Sequence, residues 1–250
     1  MVRRMSHSAR SAVFAPLEQA GRAEAVTRRL VDAITLGLLR DAEQLPSETE
    51  LAGRFGVSTV TVREALVALR QLGLVETRRG RGGGSFVRTP ADSQGSPAEA
   101  WRRRLRAVSL TDLRDVGDHY LAIAGTAAKL AAERSTADDM DRLRLATEDI
   151  AAATGTAASR AERHFHLEVA AAAQSPRLTR QELQLQAEQG GLLWLPVGRT
   201  DHHEHAYAAH DAITKAIADG DGELARRLTE RHILDAIDRL AELHLDLIDP

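Results

Sequence analysis

From residue 109 to the C-terminus, apolar residues recur every three to four positions, and no stretch alternates strictly between apolar and polar. That period is the signature of helices with one buried face. Ser109–Asp112, Thr136–Asp139 and Ser159–Glu162 each fit S/T-x-x-D/E, in which two side chains satisfy otherwise unpaired amides at a helix start. Ser175-Pro176 puts proline at a first helical position, and Gly155, Gly190-Gly191 and Gly220 mark breaks. Helices are therefore expected over 110–134, 137–153, 158–173, 176–189, 200–219 and 222–247, and an antiparallel bundle is the economical fold.

Residues 20–88 are patterned differently. Leu45-Pro46-Ser47-Glu48-Thr49-Glu50-Leu51-Ala52 opens a helix with a capping box from Ser47 to Glu50. The pattern breaks at Phe55-Gly56-Val57, and Ser58 caps the next helix. A short helix, a turn containing glycine and a longer helix make a helix-turn-helix. On the second helix Val62, Ala65, Leu66 and Leu69 share a face, which must turn to the core. Val60, Glu64 and Val67 point away, flanked by Thr61 and Arg63, so the exposed first turn offers hydroxyls, a valine and a guanidinium. Such groups suit phosphates, base edges and thymine methyls. Leu74-Val75-Glu76-Thr77, the basic glycine-rich Arg78–Gly84 and Ser85-Phe86-Val87 then read as strand, tip and strand: a wing able to follow a DNA backbone or minor groove. The glycine run is not a dinucleotide-binding loop, because Phe86-Val87 continues as strand instead of opening a helix.

Charge sharpens this division. The 250-residue chain has a formal net charge of −3, but that figure is a cancellation. Residues 1–106 hold 18 Arg against 11 acidic residues, a balance of +7; residues 107–250 hold 15 Lys and Arg against 25 acidic, a balance of −10. The basic half fits a polyanion partner. Zero cysteines exclude disulfide scaffolds, thiolate metal sites and thiol catalysis. No apolar run approaches the roughly 18–20 residues of a membrane span, and the Arg- and Ser-rich first 19 residues lack the apolar core of a secretory signal. A cytoplasmic protein is expected, with a disordered basic arm over 1–19 and a linker over 89–108, where TPADSQGSPAEA supplies the loop composition.

The stretch from about Ala25 to Val87, with LPSETELAGRFGVSTVTVREALVALRQLGLVE and RRGRGGGSFV, resembles the GntR family of bacterial transcription regulators. That resemblance implies phosphate or base contacts from Ser58, Thr59, Thr61, Arg63 and the wing around Gly80; Ser47, Thr49, Val60, Arg79 and Arg81 complete the candidate DNA-binding set. Thr59 and Thr49 stand where many members carry a basic residue, which shifts the expected burden onto Arg63 and the wing.

In the acidic half, Glu162 and His166 lie four apart on one helix face, and His210 and His232 sit on two later helices. One carboxylate and three imidazoles converging in a bundle core would suit zinc, nickel, iron or manganese. On spacing alone two plainer readings stand beside this one: Glu162 as the capping partner of Ser159, and the histidines as hydrogen-bonded core residues. His202-His203-Glu204-His205 is a denser cluster but a poorer site, since adjacent helical residues point about 100° apart. Trp194 and Phe165 are expected to be core packing.

The segments around Glu162–Leu167, Gln174–Leu178, His210–Ile213, Gly220-Asp221 and His232 resemble the FadR-like ligand-binding domain, the FCD branch of that family. The resemblance implies that Glu162, His166, His210 and His232 bind a divalent metal whose shell a small carboxylate completes. Glu162 replaces the branch's usual Asp, and Tyr120 and Ala124 occupy the first-helix positions where an Arg and a Glu are frequent, which places Tyr120 in the effector pocket. The expectation is a mainly α protein with an N-terminal winged helix-turn-helix domain over 20–88 and a C-terminal antiparallel all-helical bundle over 109–250. It is expected to be a homodimeric regulator, most simply a repressor, that binds a double-stranded DNA operator and releases it in response to a small-molecule effector. A metal-dependent enzyme fused to a DNA-binding head and a metal-free dimerisation bundle are the competing readings.

Overall fold

A computed structural model describes residues 21–80, 82–88, 97–195 and 201–248; the side chains of 97–100, 156 and 201–205 are outside the description. The expected arm over 1–19 lies outside the described residues. Two compact units are present, one built on Asp41–Arg88 with the chain up to Val31, the other on the helices from Pro97 onward.

The first unit begins in α1 (Arg22–Thr35) and continues through α2 (Glu48–Phe55), α3 (Thr59–Gln71) and a hairpin of β1 (Val75–Arg78) and β2 (Gly84–Val87). Ser47 caps α2 in a full capping box with Glu50, and Gly56 ends the helix at φ 65°, a left-handed conformation that glycine adopts without a Cβ penalty. Ser58 then caps α3, its hydroxyl accepting from the Thr61 amide at 3.1 Å. Val62, Ala65, Leu66 and Leu69 are buried along α3, as the helical period requires, while Val60 and Val67 stay exposed. The strands pair antiparallel with Val75 opposite Val87 and Arg78 opposite Gly84. At the tip a Cβ on Gly83 would lie 2.5 Å from the Arg78 carbonyl oxygen, so only glycine fits there.

The second unit comprises α4 (Pro97–Arg106), α5 (Leu110–Tyr120), a π-helical turn (Leu121–Gly125), α6 (Thr126–Arg134), α7 (Ala137–Ala152), α8 (Thr156–Ala172), α9 (Pro176–Glu188), α10 (Gly190–Leu193), α11 (Asp201–Ala218) and α12 (Gly222–Ile248). Capping boxes at Ser109–Asp112 and Thr136–Asp139 form as read from sequence. One apolar cluster joins α6, α7, α8, α11 and α12 around Phe165, Leu143 and Ile213, with alanines letting the helices approach closely. A second joins α4, α5, α10 and α12 around Leu105, Tyr120, Trp194 and Ile233.

Three sequence expectations need correction. The third capping box does not form: α8 starts at Thr156, Ser159 is buried inside it, and its carbonyl accepts from the Arg163 Nε at 3.1 Å. Glu162 turns its carboxylate to two imidazoles instead, where a buried charge gains more than at a helix start. The stretch expected as linker contains α4, because Leu105 has an apolar cluster to enter and is fully buried in it. The expected first helix, 110–134, is interrupted by the π-helical turn that carries Ala124 directly after Tyr120.

Candidate DNA-reading surface and metal centre

On the first unit the helix starts hold their caps, so the residues proposed for DNA cluster at one exposed edge. Ser47, Thr49, Ser58, Thr59, Val60 and Arg63 are exposed and Thr61 is half-buried. The Thr61 hydroxyl lies 2.9 Å from that of Ser58. Arg63 donates from Nε and Nη2 to Glu48 Oε2 at 3.0 and 2.8 Å, which ties the recognition helix to the start of α2. A groove of about 830 Å³ runs between these helices and the wing, lined among others by Arg54, Arg63, Arg70, Thr77 and Gly83. On the wing, Glu76 holds Arg78 and Arg88 at 2.7 and 3.3 Å, and the Arg78 guanidinium lies 4.2 Å from the Phe86 ring centroid. Arg79 and Gly80 are exposed at the tip, whereas Arg81 lies outside the described residues.

In the second unit Glu162 and His166 from α8, His210 from α11 and His232 from α12 bring one donor atom each within 4.8 Å of one another. His210 Nε2 and His232 Nε2 stand 3.0 and 3.5 Å from Glu162 Oε2. These close approaches are not aligned as hydrogen bonds: Glu162 Oε2, both ring nitrogens of His166, His210 Nε2 and His232 Nε2 are all buried without a hydrogen-bond partner. Lone pairs that converge without pairing fit a cation among them.

The surroundings set the protonation states. His210 Nδ1 lies 2.6 Å from the Ala206 carbonyl; an N–H there leaves Nε2 free to ligate. Burial works to raise the Glu162 carboxyl, but His210 and His232 beside it hold it well below the usual carboxylate range. Burial, then the neighbouring His232 and His210, pushes His166 well below an ordinary imidazole, and burial with His210 lowers His232. An ionised carboxylate and neutral imidazoles are the forms that bind a metal.

Two residues read as plain packing take part in this site. The Trp194 indole stacks on His166, with centroids 4.7 Å apart at 15°, and on His232, 5.0 Å apart at 9°. Phe165 meets His210 edge-on at 4.4 Å. The only sequence cue for Phe165 was its place beside His166; Trp194 had none, because nothing in its spacing links it to α8. Tyr120, expected in the pocket, is fully buried with an unpartnered hydroxyl, and burial together with Glu182 pushes that hydroxyl well above its ordinary range. The side chains of His202, His203, Glu204 and His205 lie outside the described residues.

Comparison with known proteins agrees with this division. Residues 22–84 match the family described as bacterial regulatory proteins, gntR family, and residues 115–235 match the FCD domain. The chain is 40% identical over 240 residues to the Mycobacterium gastri protein named "Putative HTH-type transcriptional regulator RmpR", covering 95% of this chain and 86% of that one. It is 30% identical over 213 residues to the HTH-type transcriptional regulator LutR of Bacillus subtilis, covering 82% and 94%. Among solved structures, McbR/YncC of Escherichia coli shares the fold at a TM-score of 0.52 and 19% identity, over 89% of this chain and 98% of that one. Among the described residues no helix is long and apolar enough to cross a membrane. A winged reader followed by a helical ligand-binding module is the domain order of transcription regulators rather than enzymes, and this chain belongs to the GntR family, as a DNA-binding regulator with an FCD effector-binding domain.

Proposed function

We propose that this regulator is a metal-dependent repressor that senses a small carboxylate. Residues 20–88 form its DNA-reading domain and 109–250 its sensor domain. The observation that carries the metal reading is the set of converging, unpartnered donors on Glu162, His166, His210 and His232. These four residues would hold a divalent ion such as zinc, nickel, manganese or iron, and their one-carboxylate, three-imidazole composition fits that group. When bound, the ion supplies a Lewis-acid position at which an anionic effector completes the coordination. The protein's own work is to keep the three imidazoles neutral, to fix the His210 tautomer through Ala206 and to exclude water with Trp194 and Phe165.

On the DNA side, a homodimer in the cytoplasm would place two Ser58–Arg63 turns in successive major grooves of a two-fold operator. The effector acts by binding one arrangement of the dimer more tightly than another. Elemental analysis of the purified chain, followed by operator binding with and without chelator, tests the reading. About one divalent ion per chain is expected, lost in His166→Ala. A chain that takes up no divalent ion, yet still binds operator, would leave the metal-free bundle as the better account.

A further inference from the structure

Beside the imidazole cluster lies a second buried polar group that metal binding does not use. Trp194 Nε1 donates to Gln186 Oε1 at 2.9 Å, and Gln186 Nε2 donates to Glu182 Oε1 at 2.8 Å. Gln186 and Glu182 are both fully buried. This row ends on Glu182 Oε2, which has no hydrogen-bond partner, and the nearby Tyr120 hydroxyl has none either. Glu182 is the charge that bears most strongly on the Tyr120 hydroxyl, with Arg163 opposing it and Glu188 adding a smaller contribution. Two unpartnered polar atoms at full burial are costly, of the order of 1–3 kcal/mol each. The row starts at Trp194, whose ring also covers His166 and His232, so it belongs to the wall of the same pocket.

The chemistry of these two atoms narrows what they accept. Tyr120 Oη offers a donor. Burial lifts the Glu182 carboxyl to about 7, so near neutral pH it is present in both protonation states. A carboxylate at this spot would face Glu182 as a like charge whenever Glu182 is ionised. An ammonium would need Glu182 ionised throughout. An alcohol hydroxyl suits either state, because it accepts from Tyr120 and either donates to, or accepts from, Glu182.

Charge balance narrows the other end. A divalent ion beside Glu162 leaves one net positive charge. The first-helix positions that supply an acid-binding pair in the resembling branch hold Tyr120 and Ala124, and neither carries a charge at neutral pH. Arg163 and Glu182 facing Tyr120 offset each other in sign. One negative charge on the effector completes the balance.

We infer that Tyr120 and Glu182 form the hydroxyl-binding pole of the effector pocket, and that the effector is therefore a hydroxy-monocarboxylate. Its carboxylate meets the Glu162–His166–His210–His232 end and its hydroxyl bridges Tyr120 Oη and Glu182 Oε2. This assignment rests on the metal-and-carboxylate reading above and adds the second contact and the charge of the ligand.

The test is calorimetric titration of the full chain, loaded with zinc, using 3-hydroxybutyrate, 4-hydroxybutyrate, butyrate and succinate. At least one hydroxy acid is expected to bind about tenfold more tightly than butyrate, the size of one well-made buried hydrogen bond, and succinate to bind more weakly than either. Tyr120→Phe and Glu182→Gln, each nearly isosteric, are expected to bring the hydroxy acid down to the affinity of butyrate while zinc uptake stays unchanged. Equal affinity for hydroxy acids and butyrate in the unaltered chain overturns the pole. So does a hydroxyl preference that survives both substitutions, which is the result expected if a buried water fills the place. Zinc uptake with no binding of any of the four acids overturns the hydroxy-monocarboxylate assignment. Failure of zinc uptake itself overturns the metal reading and this inference with it.

Discussion

The Trp194 indole lies 4.7 Å from the His166 imidazole and within 15° of parallel to it, while its own N–H is turned away to Gln186. A ring held at both its face and its edge is a fixed wall of the imidazole cluster, and it makes the cluster optically visible. The chain has two tryptophans, and the other, Trp101, lies on α4. Nickel or cobalt added to metal-free protein is expected to quench tryptophan emission. The quenching should persist in Trp101→Phe and vanish in Trp194→Phe, although the latter still takes up metal. A fluorescence titration of the two variants checks this, and quenching that survives in Trp194→Phe would refute it.

Both ring nitrogens of His166 are buried without a hydrogen-bond partner, which is a cost the metal-free protein carries. Replacing this imidazole by an apolar side chain of similar volume removes that cost, of the order of 1–3 kcal/mol. His166→Leu is therefore expected to melt higher than the unaltered chain in chelator. In saturating zinc the order should reverse, since ligand binding to the folded state adds about 4 kcal/mol at a thousandfold excess over Kd and the variant forfeits it. Thermal melts with EDTA and with zinc separate the two effects.

Glu182 gives a pH signature of the opposite sense to an ordinary carboxylate. Burial raises it from 4.5 to about 7 in the folded chain, so the folded state binds a proton that the unfolded state releases near 4.5. Its contribution to stability is complete below the unfolded value and is lost as pH rises through about 7. Glu182→Gln keeps the acceptor for Gln186 but never ionises. The variant is expected to gain on the unaltered chain between pH 6 and pH 8, by up to roughly 3 kcal/mol at 1.36 kcal/mol per pKa unit. Denaturant unfolding of both proteins across that interval measures the difference, which isolates Glu182 from the buried histidines.

The DNA-reading unit was legible because its signals are local. Ser47 with Glu50, Gly56 and Ser58 each act within one helical turn, so caps, turn and buried face all follow from spacing. The metal cluster was half-legible: Glu162 and His166 share a helix, but joining them to His210 and His232 depended on family resemblance, since helix packing is not written in any one segment. Trp194 and Glu182 were not legible at all. Their roles arise where α9, α10 and α12 meet, and a lone tryptophan or a lone glutamate carries no periodic mark of such a meeting. The false capping box at Ser159 shows the same limit from the other side. A correct local motif lost to a distant pair of imidazoles that offered Glu162 a better use of its charge.

Arg63 and Glu48 bear on operator recognition. Their ion pair is exposed, with 62% and 39% of the side-chain surface open, so it contributes little to folding. Its use is to hold a long, otherwise free guanidinium in one direction at the start of the recognition helix, which saves ordering entropy when DNA binds. Arg63→Ala is expected to weaken operator binding by roughly 1–3 kcal/mol with helical content unchanged. Glu48→Gln should leave the melting temperature within the small range usual for surface changes while lowering operator affinity by a smaller amount, because the guanidinium is retained but no longer aimed. Fluorescence anisotropy over a salt series distinguishes the two variants. Loss of Arg63 as a phosphate contact would reduce the slope of log affinity against log salt by about one, whereas Glu48→Gln should keep that slope, since every cation remains. Unchanged affinity in Arg63→Ala would show that this guanidinium does not reach the DNA, and would shift the basic contacts to Arg79 and the rest of the wing.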